Sequence, residues 1–357
     1  MTNRIAKGIG ALALALAAWL PFAAPAQQPA SPASQPTGAA PQQAAPAPAP
    51  APGSTAAPGW NNPPSWGDVS TKGQYASVPG RETNVLIQGG GHEWRKLRNG
   101  PLTFYGGIIL LIPFAILILF YLAKGPIKVH DKLTGRQVER FTSVERVAHW
   151  TMALSFVALG LTGIVILFGK HILLPLVGHA AFSTITVLSK NLHNFLGPLF
   201  IFALFIFIVL FVKENIPKAY DSAWLGKFGG LLSGEHVPSG KFNAGEKVLF
   251  WSLVVGLCTV IAVTGLILNF PNWNQGREAM QVANLIHSAC AILAMAMAFF
   301  HIYLGTVGMQ GALDAMKTGY VDETWAREHH EYWYNDVKAG KRPEKIATGN
   351  VQPATGD

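Results

Sequence analysis

Five long apolar runs constrain the fold of this chain more than any other feature of its sequence. Each is close to the ~20 apolar residues that a helix needs to cross the hydrocarbon core of a bilayer. In lipid, backbone groups must bond within a helix or a closed barrel, so the runs predict membrane-spanning helices. We place these helices at residues 102–123, 145–169, 191–213, 247–270 and 281–307.

The composition favours the same class of protein. Hydrophobic residues make up 50% of the 357 residues and charged residues only 13%, whereas a soluble domain has ~25% charged residues. The net charge of +8 lies mainly in the segments outside the apolar runs, so we expect no nucleic-acid partner. The two cysteines, Cys258 and Cys290, lie inside apolar runs. They are too few for an iron–sulfur cluster held by this chain alone, and no c-type haem attachment motif occurs.

The segment before the first run has three parts. Residues 1–26 are typical of a secretory signal peptide, with a basic start, an apolar stretch and small residues at its end. An uncleaved anchor is the alternative interpretation. Residues 27–58 are rich in proline, alanine and glutamine and predict a disordered linker. Residues 59–101 regain aromatic residues, and we expect a small periplasmic segment there.

The distribution of lysine and arginine predicts the orientation. A cleaved signal places residue 27 outside, and the basic residues are then concentrated in the loop 124–144 and the tail 308–357. Both would be cytoplasmic, as the positive-inside rule requires. Arg95, Lys96 and Arg98, just outside the first run, depart from that rule. We therefore expect a multi-pass protein of a bacterial inner membrane, with a periplasmic N-terminus and a cytoplasmic C-terminus.

Most of the 11 histidines lie outside the apolar runs, where we expect them to be solvated or interfacial; these are His92, His130, His171, His179, His236, His329 and His330. The last two belong to an aromatic-rich stretch, residues 325–334, that is typical of an interfacial amphipathic segment. The remaining histidines lie within the runs, where an ionisable side chain is costly and is by default a functional hypothesis; these are His149, His193, His287 and His301.

The positions of these four histidines along the runs sort them into two pairs. Because consecutive spans alternate in direction, His149 and His301 fall near the inner face and His193 and His287 near the outer face. His287 and His301 are 14 residues apart on one helix. That spacing places them about 40° apart around the helix and about 21 Å apart along it. One helix therefore supplies one imidazole to each pair.

Two histidine pairs at two depths favour two b-type haems, each ligated by two imidazoles. Small residues near the histidines would help to make room for the macrocycles; they are Gly160, Gly163, Ala289 and Ala291. A proton relay would favour acidic residues inside the spans, and a zinc site would need its ligands at one depth. The alternative from another class is a non-redox transporter, a type of fold that often shows internal repeats and broken helices.

Several segments between residues 141 and 335 resemble the gamma subunit of membrane-bound formate dehydrogenase, a cytochrome b-556; they are Glu145–Trp150, Leu192–Phe195, Gly240–Lys247 leading into Phe250–Ser252, His287–Tyr303, Gly319–Val321 and Trp325–His330. The resemblance implies an all-α membrane protein with a four-helix di-haem cytochrome b core at residues 145–307. The run 102–123 is then one extra N-terminal transmembrane helix, whose role the resemblance does not explain.

The resemblance also implies roles for residues and partners. The outer haem would be ligated by His193 and His287 and the inner haem by His149 and His301. A quinone would bind beside the inner haem, with the help of Asn243 and Gly245. Formate would be oxidised by a catalytic alpha subunit containing molybdenum or tungsten, and its electrons would reach this chain through an iron–sulfur beta subunit. The histidine pattern alone is shared with cytochromes b of hydrogenase and of thiosulfate or polysulfide reductase, which remain alternatives.

Overall fold

The structure is a computed structural model that describes residues 89–230 and 233–346. The expected signal peptide (1–26), the expected linker (27–58) and residues 59–88 of the expected periplasmic segment lie outside the described residues.

The described part of the chain is mostly helical. Its helices, in chain order, are α1 Gly89–Leu97, α2 Thr103–Lys124, α3 Ser143–Ile172, α4 Leu174–Phe211, α5 Tyr220–Gly226, α6 Ala244–Leu249, α7 Thr259–Asn269, α8 Arg277–Tyr303, α9 Ala312–Lys317, α10 Glu323–His329 and α11 Glu331–Lys338. A short 3-10 turn covers Phe228–Gly230, and three wider π-helical stretches cover Arg98–Leu102, Phe250–Cys258 and Leu304–Gly308.

Five helical segments are long and apolar enough to cross a membrane, which confirms the predicted number of spans; they are Gly90–Lys124, Ser143–Ile172, Leu174–Phe211, Ala244–Asn269 and Arg277–Gly308. Large apolar side chains cover their outward surfaces, including Phe195 and Phe202, which are 77% and 64% exposed. Such surface is expected against lipid rather than water. The chain is therefore a multi-pass, all-α membrane protein.

Two predicted boundaries were wrong because the helices continue beyond their apolar runs. The expected loop 170–190 is largely helical: α4 begins at Leu174 and bends at Gly178, where φ is +74°. Its added turns pack on α3, since a Cβ on Gly169 would lie 2.9 Å from the Phe182 ring. The first span likewise begins in the helix at Gly89–Leu97, well before residue 102. A prediction from runs of apolar residues finds the part of a helix that lies in lipid and does not find the helical turns that extend beyond it.

The last four spans form a bundle and the first span packs against its side. The bundle core contains Phe200, Leu204, Phe250, Leu253, Cys258 and Ala294. The first span contacts the fifth closely at Gly106, where an added Cβ would lie 2.5 Å from Ile292 Cδ1. The same two segments also meet nearer their starts, where Trp94 Nε1 donates a hydrogen bond to Asn284 Oδ1 at 3.3 Å. The predicted architecture of a four-helix core with one extra helix is confirmed.

One end of the bundle is covered by the connections and the C-terminal residues, and we call it the capped end. There β1, Gln137–Glu139, pairs antiparallel with β2, Tyr320–Asp322, with Val138 opposite Val321. Both valines are buried, as are Trp325 and Trp333 of the C-terminal helices. These side chains belong to the same apolar cluster as the bundle core, so the cap and the bundle share one core.

The expectation that His330 is solvated or interfacial was wrong. His330 is only 1% exposed, and its Nδ1 lies 2.7 Å from the Gly240 carbonyl, to which it donates. Burial holds the pKa of His330 well below its usual value. His330 is buried because it docks on the loop before α6, a contact between residues about ninety positions apart that local periodicity does not encode.

Candidate functional site

The four span histidines lie in the two pairs that the sequence analysis predicted. His149 and His301 face each other near the capped end, with ring centres 6.2 Å apart. We call them the capped-end pair. His193 and His287 face each other toward the opposite end, with ring centres 6.1 Å apart. We call them the far-end pair.

Each pair fits a single metal ion held between two imidazoles. An imidazole nitrogen binds a first-row transition metal at about 2.0–2.1 Å, so two rings on opposite sides of one ion have centres roughly 6.4 Å apart. The observed separations of 6.1 and 6.2 Å are close to that value. Among the described residues there is no group of three or more His, Cys, Asp or Glu side chains placed to hold a metal ion. A haem iron takes only two ligands from the protein, and each pair contains two imidazoles that could hold it.

A threonine hydroxyl fixes the orientation of His193. Thr162 Oγ1 lies 2.9 Å from His193 Nδ1, and it also lies 2.8 Å from the Ala158 carbonyl in its own helix. A hydroxyl has one hydrogen, and a carbonyl can only accept, so Thr162 donates to Ala158 and accepts from His193 Nδ1–H. The Nε2 atom of His193 then carries the lone pair that a metal requires.

His287 is held in the same way from another helix. Thr264 Oγ1 lies 3.1 Å from His287 Nδ1 and donates to the Val260 carbonyl at 2.7 Å. The Ile261 carbonyl, also 3.1 Å from His287 Nδ1, is a second acceptor. Both acceptors require a hydrogen on Nδ1, so Nε2 is again the free nitrogen.

A glycine follows each of these threonines and lies against the imidazole. A Cβ on Gly265 would crowd the ring, at 3.3 Å from His287 Cε1, whereas one on Gly163 would make an ordinary contact, at 3.6 Å from His193 Cε1. The second and fourth spans thus each present a Thr-Gly dipeptide to one histidine of the far-end pair. Of these four residues only Gly163 was predicted from the sequence, and Thr162, Thr264 and Gly265 were not. The recurrence of Thr-Gly in two spans was the signal that would have revealed them.

The capped-end pair has different surroundings. His149 Nδ1 is buried and has no hydrogen-bond partner within residues 89–230 and 233–346. Its ring lies beside Trp150 and Phe207, with centres 5.4 and 6.3 Å away. His301 keeps exposed surface although it belongs to a span.

The two residues expected to hold a quinone lie at the capped end and have clear structural roles. Asn243 caps α6: its Oδ1 accepts from Glu246 N–H at 2.9 Å, and its own N–H donates to Glu246 Oε2 at 2.8 Å. A Cβ on Gly245 would lie 2.9 Å from the Trp224 ring, so a larger residue would displace that ring. The chain continues from α6 into Phe250, whose ring lies 6.4 Å from the Phe207 ring beside His149. This loop therefore adjoins the capped-end pair.

Ion pairs hold the loops around this end in place. Arg140, which is 6% exposed, donates to Glu246 at 3.1 Å and to the Lys241 carbonyl at 2.8 Å. Lys247 bonds both oxygens of Asp221, at 3.0 and 2.8 Å. Buried charges of this kind persist only when they are paired. They fix the start of α6 relative to α5 and to the loop before α3.

Comparison with known proteins identifies the family. The family model of prokaryotic cytochrome b561 matches residues 140–319, which is half of the chain. The chain belongs to the prokaryotic cytochrome b561 family. The matched region contains all four paired histidines and excludes the first span, Gly90–Lys124.

Individual relatives agree with this membership. The cytochrome is 30% identical over 220 residues to the cytochrome b556 subunit of the nitrate-inducible formate dehydrogenase of Escherichia coli strain K12, an alignment that covers 60% of this chain and 98% of the relative. The formate dehydrogenase cytochrome b556 subunit of Haemophilus influenzae is 28% identical over 220 residues, covering 59% of this chain and 87% of the relative. As a member of a cytochrome b family, this protein is a haem b-binding membrane protein of electron transport.

Proposed function

We propose that this cytochrome is the di-haem subunit of a respiratory formate dehydrogenase, carrying electrons from an iron–sulfur partner across the membrane to a quinone. The observation that carries the proposal is the pair of imidazoles toward each end of the bundle, at separations that fit a shared iron. The relatives named as formate dehydrogenase subunits support the assignment to that complex.

In this proposal His193 and His287 ligate one haem b and His149 and His301 ligate the other. When bound, the haems supply reversible one-electron transfer. The protein's contribution is to hold the four imidazoles in fixed positions. Because His287 and His301 both lie on α8, one helix sets the spacing between the two centres, about 21 Å along its axis.

The orientation that we propose places the capped end in the cytoplasm of a bacterium and the far end in the periplasm. Lysine and arginine are concentrated in the connections and the tail at the capped end, as the positive-inside rule expects. The iron–sulfur subunit would dock at the far end, and formate would be oxidised outside by a catalytic subunit containing molybdenum or tungsten.

The quinone would bind beside the capped-end pair, near Asn243, Gly245 and His301. The support for this position is that Asn243 and Gly245 begin the helix that continues into Phe250. The Phe250 ring lies 6.4 Å from the Phe207 ring, which lies 6.3 Å from the His149 ring. A quinone reduced there would take its protons from the cytoplasmic side, so the reaction would move charge across the membrane.

The haem assignment is tested by pyridine haemochrome analysis of the purified complex together with an alanine variant of His193. We expect two b haems per chain and the loss of one spectral component in His193→Ala. The matched control is His179→Ala, which removes an exposed histidine from the same helix. If His193→Ala keeps both components of the reduced-minus-oxidised spectrum, the assignment is refuted. The large subunit that co-purifies with the chain distinguishes formate dehydrogenase from a hydrogenase or a thiosulfate reductase.

The quinone site is tested by two variants of Asn243. Asn243→Asp keeps a carbonyl-type oxygen that can accept from Glu246 N–H, whereas Asn243→Ala removes the cap and destabilises the helix start by about 1 kcal/mol. We expect Asn243→Asp to retain both haems while the KM for quinone rises. Quinone kinetics equal to those of the unmodified protein in a folded Asn243→Asp complex would remove Asn243 from the site.

A further inference from the structure

The two histidine pairs differ in what lies behind their rings. Both rings of the far-end pair present Nδ1 to a threonine hydroxyl, at 2.9 Å for Thr162 and 3.1 Å for Thr264. In the capped-end pair, His149 Nδ1 is buried without a partner in the described part of the chain. The pairs therefore differ in the hydrogen bonding of Nδ1, the ring nitrogen that points away from the position of a metal bound at Nε2.

Both threonines lie inside the bundle, where Thr162 is 8% exposed and Thr264 is 7% exposed. Each donates its hydrogen to a carbonyl one turn earlier, that of Ala158 or Val260. That donation leaves each oxygen as an acceptor aimed across to a histidine on another helix.

An acceptor at Nδ1–H makes the other nitrogen a better electron donor. A partner of this kind fixes the tautomer and orientation of a ligating imidazole and raises its basicity. A more basic ligand stabilises the more positive, oxidised state of the metal and therefore lowers the reduction potential of the centre. Thr162 and Thr264 supply this effect on both sides of the same centre.

We infer that Thr162 and Thr264 are positioning residues that hold the His193 and His287 imidazoles in the Nδ1–H tautomer and lower the reduction potential of the far-end haem. The inference rests on the proposed haem ligation. Lowering the potential of this centre alone favours electron flow from the far end toward the capped end. The two threonines thus help to set the direction of transfer as well as the geometry of the ligands.

The experiment is a spectroelectrochemical redox titration of the purified complex, following the two b haems in the Thr162→Val, Thr264→Val and double Val variants. The component that His193→Ala removes identifies the far-end haem. We expect its midpoint to rise in Thr162→Val and further in the double variant, with the other midpoint unchanged. The rise in Thr264→Val should be smaller, because the Ile261 carbonyl still accepts from His287 Nδ1. One hydrogen bond is worth up to about a tenfold change in the oxidised-to-reduced ratio, or about 59 mV for a one-electron centre.

Two further sets of variants separate the hydroxyl's role from simple packing. Thr162→Ser and Thr264→Ser keep the acceptor, and we expect midpoints near those of the unmodified protein. Thr186→Val is the matched control, because Thr186 donates to the carbonyl of Phe182 within its own helix and should leave both midpoints in place.

The outcomes also distinguish this inference from the proposed function. Two bound haems with unchanged midpoints in the double Val variant would overturn the inference and leave the haem ligation standing. If the Val variants lose the far-end haem, its recovery in the Ser variants supports the role of the hydroxyl, and its loss in both refutes it. An unmodified complex without two b haems would refute the proposed function itself.

Discussion

The buried ion pair between Asp221 and Lys247 provides a quantitative test of how the capped end is held. Lys247 Nζ lies 2.8 Å from Asp221 Oδ2, and the two side chains are only 5% and 10% exposed. Asp221 Oδ2 also accepts from the backbone N–H of Lys218 at 2.6 Å. The pair therefore joins α5 to α6, the short helix that leads into the fourth span.

The expected magnitude follows from what remains when one partner is removed. Asp221→Asn keeps an oxygen for the Lys218 N–H but leaves the Lys247 ammonium buried without its counter-charge. Breaking a buried pair in this way destabilises by about 3–5 kcal/mol, whereas removing both charges is often close to neutral. We therefore expect large losses in Asp221→Asn and Lys247→Met, and a much smaller loss in the double variant.

The assay is amide hydrogen exchange of α6 in the purified complex. A loss of about 3 kcal/mol corresponds to a rise of roughly 100-fold in the opening equilibrium. The control is Glu93→Gln, which breaks the exposed Glu93–Lys96 pair, with side chains 64% and 61% exposed; such a pair contributes about 0–1 kcal/mol. If the two single variants add without coupling in the double variant, the pair does not hold α5 to α6 as argued.

Two other predictions test the packing of the first span and the acid stability of the cap. Gly106→Val should lower the thermal unfolding midpoint of the complex by an amount corresponding to about 1–3 kcal/mol, since even a Cβ would lie 2.5 Å from Ile292 Cδ1. The control is Gly197→Ala, because the added Cβ would have no neighbour within 4 Å. Equal unfolding midpoints in both variants would contradict close packing at Gly106. Burial lowers the pKa of His329 to about 4, so the folded state favours its neutral form. The stability that the neutral His329 contributes is fully present above the unfolded pKa of about 6.5, and it is lost as the pH falls from there toward about 4. His329→Gln should therefore flatten the dependence of the unfolding midpoint on pH in this window. An unchanged dependence would exclude His329 as its source.

The sequence by itself determined the five spans and the two histidine pairs. A bilayer requires runs of about 20 apolar residues, and such runs are local in sequence. The period of the helix then fixed the relation between His287 and His301, since both lie on one helix. These features depend on residues within one segment and on the alternation of span direction.

Tertiary structure decided the features that depend on contacts between segments. Thr162 reaches a histidine 31 residues away and Thr264 one that is 23 residues away, and no local pattern specifies which hydroxyl meets which ring. The burial of His330 likewise depends on the Gly240 carbonyl, 90 residues earlier in the chain. The early start of α4, before the predicted span at residue 191, depends on packing between neighbouring helices. The sequence thus placed the paired histidines, and the packing of the helices determined what lies behind each of them, because hydrogen bonds between segments form only once the bundle has assembled.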